Sequence, residues 1–159
     1  MEECLAKELN LRGEKHPLCL RWTADTCRYE DDAMRVSLDI SGTYSGSPKN
    51  QLTEVYTVKE LKLPRQSLSF RKLSEKYSHL GGLPIESYDS IQPKILIGMN
   101  NVRVVHALES REGKPNEPVA VETRLGWTIY GMCSPEDGLA TNITSYIHLS
   151  HMLSLLQLG

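Results

Sequence analysis

The chain has 159 residues, 40% hydrophobic and 24% charged, which is enough apolar material for one globular domain with its own core. Its 18 basic and 20 acidic residues leave a formal net charge of −2, and no Lys/Arg block is long enough to follow a phosphate backbone, so direct nucleic-acid binding is not expected. The acidic opening Met1-Glu2-Glu3 lacks the apolar core of a secretory signal, and no run approaches the roughly 20 apolar residues a bilayer crossing needs, so an intracellular, non-membrane protein is expected.

Met1, Cys4, Leu5 and Leu9 recur at three- and four-residue spacing with Glu2 and Glu3 in the first turn, which predicts a short amphipathic helix ending between Asn10 and Gly13. Nothing precedes Met1 to cap its free amides, a loss worth about 1 kcal/mol, so the helix reads as cut off. From Pro17 the pattern turns to strands, at 18–23 and 33–40. Met34, Val36, Leu38 and Ile40 alternate there with polar residues, so one face is wet. A Gly/Ser/Pro-rich loop covers 41–50, and a further strand is expected from Leu52 to Val58.

Residues 67–77 read as a short helix with Ser67 as its cap, followed by a turn at His79-Leu80-Gly81-Gly82-Leu83-Pro84. Strands are expected at Ile95–Ile97, 102–107, 119–122 and 127–132, with a charged turn from Glu109 to Glu117. Many short strands separated by Gly/Pro turns argue for a closed β architecture. Residues 1–134 form the expected domain. Residues 135–159 form a tail, partly disordered or briefly helical near Ser150–Leu158.

Cys4, Cys19, Cys27 and Cys133 have no paired spacing that suggests a zinc or redox site, so they are expected as free, packing thiols. His148 and His151 lack a third ligand at a supporting spacing, and no metal site is assigned. No glycine loop has the form that cradles phosphates, and no cofactor is implied. Trp22, Trp127 and Tyr130 read as core or strand-pairing aromatics.

The most informative segment is Ile95-Leu96-Ile97-Gly98-Met99-Asn100, three bulky residues running into a glycine. It fits a buried strand that turns sharply against neighbouring backbone, where a side chain would clash. Around it stand Pro17-Leu18-Cys19-Leu20-Arg21-Trp22-Thr23, Leu61-Lys62-Leu63-Pro64-Arg65-Gln66-Ser67-Leu68, the turn 79–85 and the run from Pro118 to Gly131, including Glu122-Thr123-Arg124-Leu125-Gly126-Trp127. In order and spacing, over most of residues 1–134, these segments resemble the retropepsin-like aspartic peptidase of Pao/BEL retrotransposon polyproteins.

The resemblance implies a mainly β, retropepsin-like closed barrel (the acid-protease fold), incomplete here, with one or two short helices. Ile95, Leu96, Ile97, Gly98 and Asn100 would form the loop that braces the catalytic turn, and Leu125, Gly126, Trp127 and Gly131 a structural strand-turn. It also implies a homodimer, an extended polyprotein peptide as ancestral substrate, and a flap formed by some loop of the first half.

In that family the Asp-Ser-Gly or Asp-Thr-Gly turn lies just ahead of the first helix, whereas this chain opens with the helix. The chemistry needs two carboxylates close enough to share one proton, one from each subunit. In Asp25-Thr26-Cys27 a cysteine replaces the glycine and the triplet follows the helix. In Asp39-Ile40-Ser41-Gly42 an isoleucine intervenes, and Asp39 belongs to the wet face of a strand. Asp31 and Asp32, adjacent in an extended chain, point apart. No catalytic residue is assigned. The expected function is a retrotransposon-derived aspartic peptidase-like domain, inactive as this chain. The alternatives are a non-catalytic peptide-binding or dimerisation module, and an active endopeptidase whose true start lies upstream.

Overall fold

Alternation along residues 34–40 decides the first sheet. In a computed structural model describing residues 1–21 and 26–131, β4 (Met34–Ile40) buries Val36, Leu38 and Ile40 and exposes Ser37 and Asp39. It pairs antiparallel with β1 (Glu14–Lys15) on one side and β5 (Asn50–Tyr56) on the other. Between Val36↔Val55 and Leu38↔Leu52 the register advances one residue further along β5 than along β4. This makes a bulge in which Glu54 takes a left-handed φ of 51°. β2 (Leu18–Arg21) and β3 (Cys27–Glu30) form a separate antiparallel hairpin.

The helix expected at the start of the chain is α1 (Glu3–Glu8). It ends in a Schellman motif: Asn10 adopts φ 50°, Asn10 N–H donates to Lys7 O at 3.0 Å, and Leu11 N–H donates to Ala6 O at 2.9 Å. The uncapped start is resolved by tertiary contacts. Glu2 N–H donates to Lys94 O and Glu3 N–H to Val58 O, both at 2.8 Å. The apolar face is Met1, Leu5 and Ala6 with Leu9 at its margin. Cys4 is exposed rather than packed, its thiol directed at Glu2 Oε2. Cys27 is exposed as well, so the packing role expected for these thiols fails at both positions.

The second half forms around another cluster. β6 (Gln66–Leu68) pairs with β7 (Tyr88–Ile91), and α2 (Phe70–Lys76) with the 3-10 turn Ser78–Leu80 lies between them. Ser67 is not the helix cap. It sits in β6, its hydroxyl donating to Asp89 at 2.6 Å and accepting Ser90 N–H at 2.8 Å. β8 (Glu109–Arg111), β9 (Val119–Thr123) and β10 (Gly126–Tyr130) make an antiparallel sheet with β9 central. β8 falls inside the expected charged turn: all three of its residues are exposed, so no apolar alternation marks it, and pairing with β9 alone defines it.

Two apolar clusters result. The first joins α1, β4, β5, Ile95, Val104 and Leu125; the second joins Leu68, Phe70, Leu73, Leu80, Leu83 and Ala120, with Trp127 and Ile129 against it. The protein is mainly β with short helices, but among the described residues the strands form two three-stranded and two two-stranded sheets rather than the expected closed barrel. Among the described residues β2–β3 and β6–β7 pair only within themselves, and no continuous ladder joins the four sheets. Among the described residues no helix is long and apolar enough to cross a membrane.

The first cluster is closed by a near contact of backbones. A Cβ on Gly42, just beyond β4, would lie 2.7 Å from Leu125 O. Gly42→Ala is expected to destabilise the fold by about 1–3 kcal/mol, read as a lower urea midpoint at unchanged m-value.

Candidate functional site

The Ile95–Asn101 run, singled out from sequence, crosses the first cluster in an extended conformation. Lys94 O accepts the Glu2 amide, Ile95 is buried against α1, β4 and β5, and Ile97 packs at the edge of that cluster. Leu96 points outward, 52% exposed. Residues 92–98 join no strand ladder among the described residues, so the strand expected at Ile95–Ile97 is an extended crossing instead. The flanking Met1–Glu2 backbone supplies one hydrogen bond here, not a paired strand.

Gly98 has ordinary extended backbone, φ −81° and ψ 170°. An added Cβ would meet Asn100 Oδ1 at 2.8 Å, a movable side chain and not the crowding backbone that the sequence suggested. The turn after it is a 3-10 turn, Met99–Asn101, closed by Asn101 N–H donating to Gly98 O at 3.0 Å.

Asn101 is the anchor of this crossing, a role that sequence reasoning assigned to no residue. The buried Asn101 side chain accepts Thr53 N–H at Oδ1 (3.1 Å) and donates from Nδ2 to Thr53 O (2.9 Å). This pair of bonds reproduces what a neighbouring strand would give the bulged edge of β5. Asn100, exposed, offers only longer bonds from Nδ2 to Thr53 O (3.2 Å) and Glu54 O (3.5 Å). The one sequence signal available was the doubled asparagine, which does not say which of the two turns inward.

Beyond Asn101 the strand expected at 102–107 is absent. Val102–Val105 form a single helical turn, α3, with Val104 buried in the first cluster. β-branched residues favour strands only where a pleated surface receives them, and here the 3-10 turn hands the chain over already coiled.

The second motif meets the first at this point. The β9–β10 hairpin turns at Arg124-Leu125, where Thr123 Oγ1 donates to Gly126 O (3.0 Å) and accepts Leu125 N–H (3.1 Å). Leu125 enters the first cluster beside Ile95. Arg124 Nη1 donates to Arg103 O at 2.6 Å, latching the hairpin to the carbonyl end of α3, where a cation is favoured. Gly126 has φ 107°, closed to ordinary side chains. Trp127 lies on the other side, against the second cluster with the Arg111 guanidinium 5.2 Å from its ring centroid, and Gly131 passes beside Pro118. The structure thus unites Ile95, Ile97 and Leu125 at the first cluster, places Trp127 against the second, and sets Gly131 beside Pro118.

Carboxylates complete the picture. Asp31, Asp32 and Asp39 are exposed. Asp32 is held below the usual carboxylate range by its hydrogen bond to Lys15. Among the described residues two glutamates are buried, and both serve the chain segment after β5. Glu30 accepts Lys59 N–H (3.2 Å) and pairs with Arg28 (2.7 Å), Glu2 accepts Leu61 N–H (3.1 Å), and Arg28 Nη2 donates to Glu60 O (2.8 Å). Among the described residues no three His, Cys, Asp or Glu side chains gather as a metal would need. Asp25, Cys133, His148, His151, Trp22 and the tail 135–159 lie outside the described residues.

No protein-family model, no curated protein and no solved structure matches the chain.

Asn101→Ala removes the Thr53 N–H acceptor and the shorter of the two amide donors to Thr53 O, and is expected to cost about 1–3 kcal/mol, whereas Asn100→Ala should stay within about 0.5 kcal/mol. Equal losses in urea unfolding would contradict the assignment of the anchor. Leu125→Ala should cost about 2–5 kcal/mol, measured the same way.

Proposed function

We propose that the chain is a retropepsin-like domain of Pao/BEL retrotransposon descent that lacks the catalytic Asp and is therefore inactive as a peptidase in this form. The observation that carries the reading is the crossing itself. An apolar-apolar-Gly run passes through the core beside the backbone that leads into α1, then turns into a short helix pinned by an asparagine. A loop bracing a catalytic turn would be built in this way, with the turn on the N-terminal side of α1. The joint packing of Ile95 and Leu125 supports it further, because two motifs recognised separately meet in one cluster.

The carboxylates of the described residues support the inactive reading. An aspartic peptidase activates water with one carboxylate and protonates the scissile carbonyl with its partner. Among the described residues the buried Glu2 and Glu30 spend oxygens on main-chain amides, and Asp31, Asp32 and Asp39 sit in water with nothing to hold a partner at sharing distance.

The β2–β3 hairpin, which pairs with no other described strand, is the element best suited to serve as the flap. It also favours a second reading, a non-catalytic module that receives extended peptides by strand addition, since both edges of this hairpin are free of other described strands. Homodimerisation and descent from a polyprotein-cleaving enzyme belong to the first reading.

The purified chain is expected to leave extended peptides uncut. Fusing an extended segment that ends in Asp-Ser-Gly or Asp-Thr-Gly ahead of Met1 should then create hydrolysis blocked by pepstatin-type inhibitors. Pepstatin-sensitive cleavage by the unfused chain would sink the inactive reading. A fused chain that folds and dimerises yet never cleaves would sink the family reading.

A further inference from the structure

The turn that follows the crossing presents two unlike faces. Asn101 and Val104 are buried, and Val105 packs against the first cluster. Met99, Val102, Arg103 and His106 recur at spacings of three and four on the other side, and all four are exposed. Met99 is 82% exposed and Val102 42%, and Leu96, just before the turn, adds a further outward apolar side chain. One exposed apolar residue is ordinary, but Leu96, Met99 and Val102 stand together on a segment pinned by Asn101 and so make a fixed patch.

Beside this patch the charge is of one sign. Arg124 Nη1 donates to Arg103 O at 2.6 Å and lies 3.1 Å from His106 Nδ1, and the His106 ring returns over the turn with Nδ1 3.0 Å from the same carbonyl. Arg103 contributes a second guanidinium from the exposed face. Among the described residues neither arginine meets a carboxylate at salt-bridge distance. The chain as a whole is net negative at −2, so this is a local excess of cations and not part of a general basic surface.

We propose that the outer face of residues 96–106, together with Arg124, is a docking surface for an acidic peptide segment of another protein. Such a segment sets an apolar side chain against Met99 and Val102 and its carboxylates against Arg103 and Arg124. Arg103 offers its whole fork of donors, and Arg124 the nitrogens not bonded to Arg103 O. A second copy of this chain is a poorer occupant, because Arg103 follows Met99 by one helical turn and a two-fold pairing through Met99 would bring like guanidinium groups together. Exposed methionine suits the role, being able to fit apolar side chains of differing shape. The Asn101 anchor and the Arg124 latch hold the surface in place before a partner arrives, so binding orders little of it. The inference rests neither on the peptidase reading nor on strand addition to the β2–β3 hairpin, since it uses other elements.

A random-peptide display library selected on the full chain, followed by titration of the strongest selected peptide, tests this. Enriched sequences should carry Asp or Glu beside a large apolar residue, and backbone amide shifts on binding should centre on residues 96–106 and Arg124. Met99→Ser and Arg103→Glu should each weaken the peptide by about 10-fold or more at an unchanged urea midpoint, since both side chains stand in water. The same peptide with Lys in place of its acids should bind the Arg103→Glu chain better than the original one, and affinity for the acidic peptide should fall as salt rises. A library that yields no binder or enriches sequences without acids, shifts centred elsewhere, or full affinity in both variants would overturn the proposal. So would binding of phosphatidylserine vesicles in place of the peptide, or a concentration-dependent dimer that Met99→Ser abolishes.

Discussion

The side-chain amide of Asn101 does for the bulged edge of β5 what a neighbouring strand would do. One planar group accepts from Thr53 N–H and donates to Thr53 O, so Asn101 registers the 94–105 crossing against the sheet, with Asn100 adding longer bonds to the same edge. The bulge makes this workable. The extra residue at Thr53-Glu54 turns those backbone groups outward at one place and interrupts the ladder that would otherwise continue. Ile95 and Val104 reach the first cluster because this anchor fixes where the chain passes, and Leu125 joins them from the β9–β10 turn. Two net hydrogen bonds contribute only about 1–3 kcal/mol, but they choose the position at which the larger hydrophobic burial takes place.

A second set of polar contacts carries the chain from one cluster to the other. Arg28, Glu30 and Glu2 together hold residues 59–61, taking two amides and one carbonyl of a segment without regular structure. Buried carboxylates are tolerated here because each has a hydrogen-bond donor, and the donors are backbone groups that would otherwise be buried without partners. The same fact bears on function. Carboxylates committed to main-chain amides are poor acid–base catalysts, so the most deeply buried acids of the described chain are structural.

What the molecule offers, then, is a braced crossing. The run into Gly98, the pinned turn after it and the latch of Arg124 on α3 form a rigid local frame. Met1 and Glu2 pack beside it, between Val58 and Lys94.

Sequence alone determined the features that are local. Alternation gave β4, three- and four-residue spacing gave α1, and Gly and Pro marked the turns. The Ile95–Gly98 run and the 125–131 motif were legible as places where chain meets core. Tertiary structure decided the rest. The valines of 102–105 coil instead of extending because the turn before them sets their direction, and β8 is a strand only because β9 lies alongside. Ile95–Ile97 stays unladdered because the Glu2 amide bonds Lys94 O just before it and no described strand pairs with it. Which of two adjacent asparagines is buried was likewise invisible, since composition and spacing are the same for both. Local pattern reports the side of an element that shuns water; only the assembled neighbours determine what each backbone group finds to bond with.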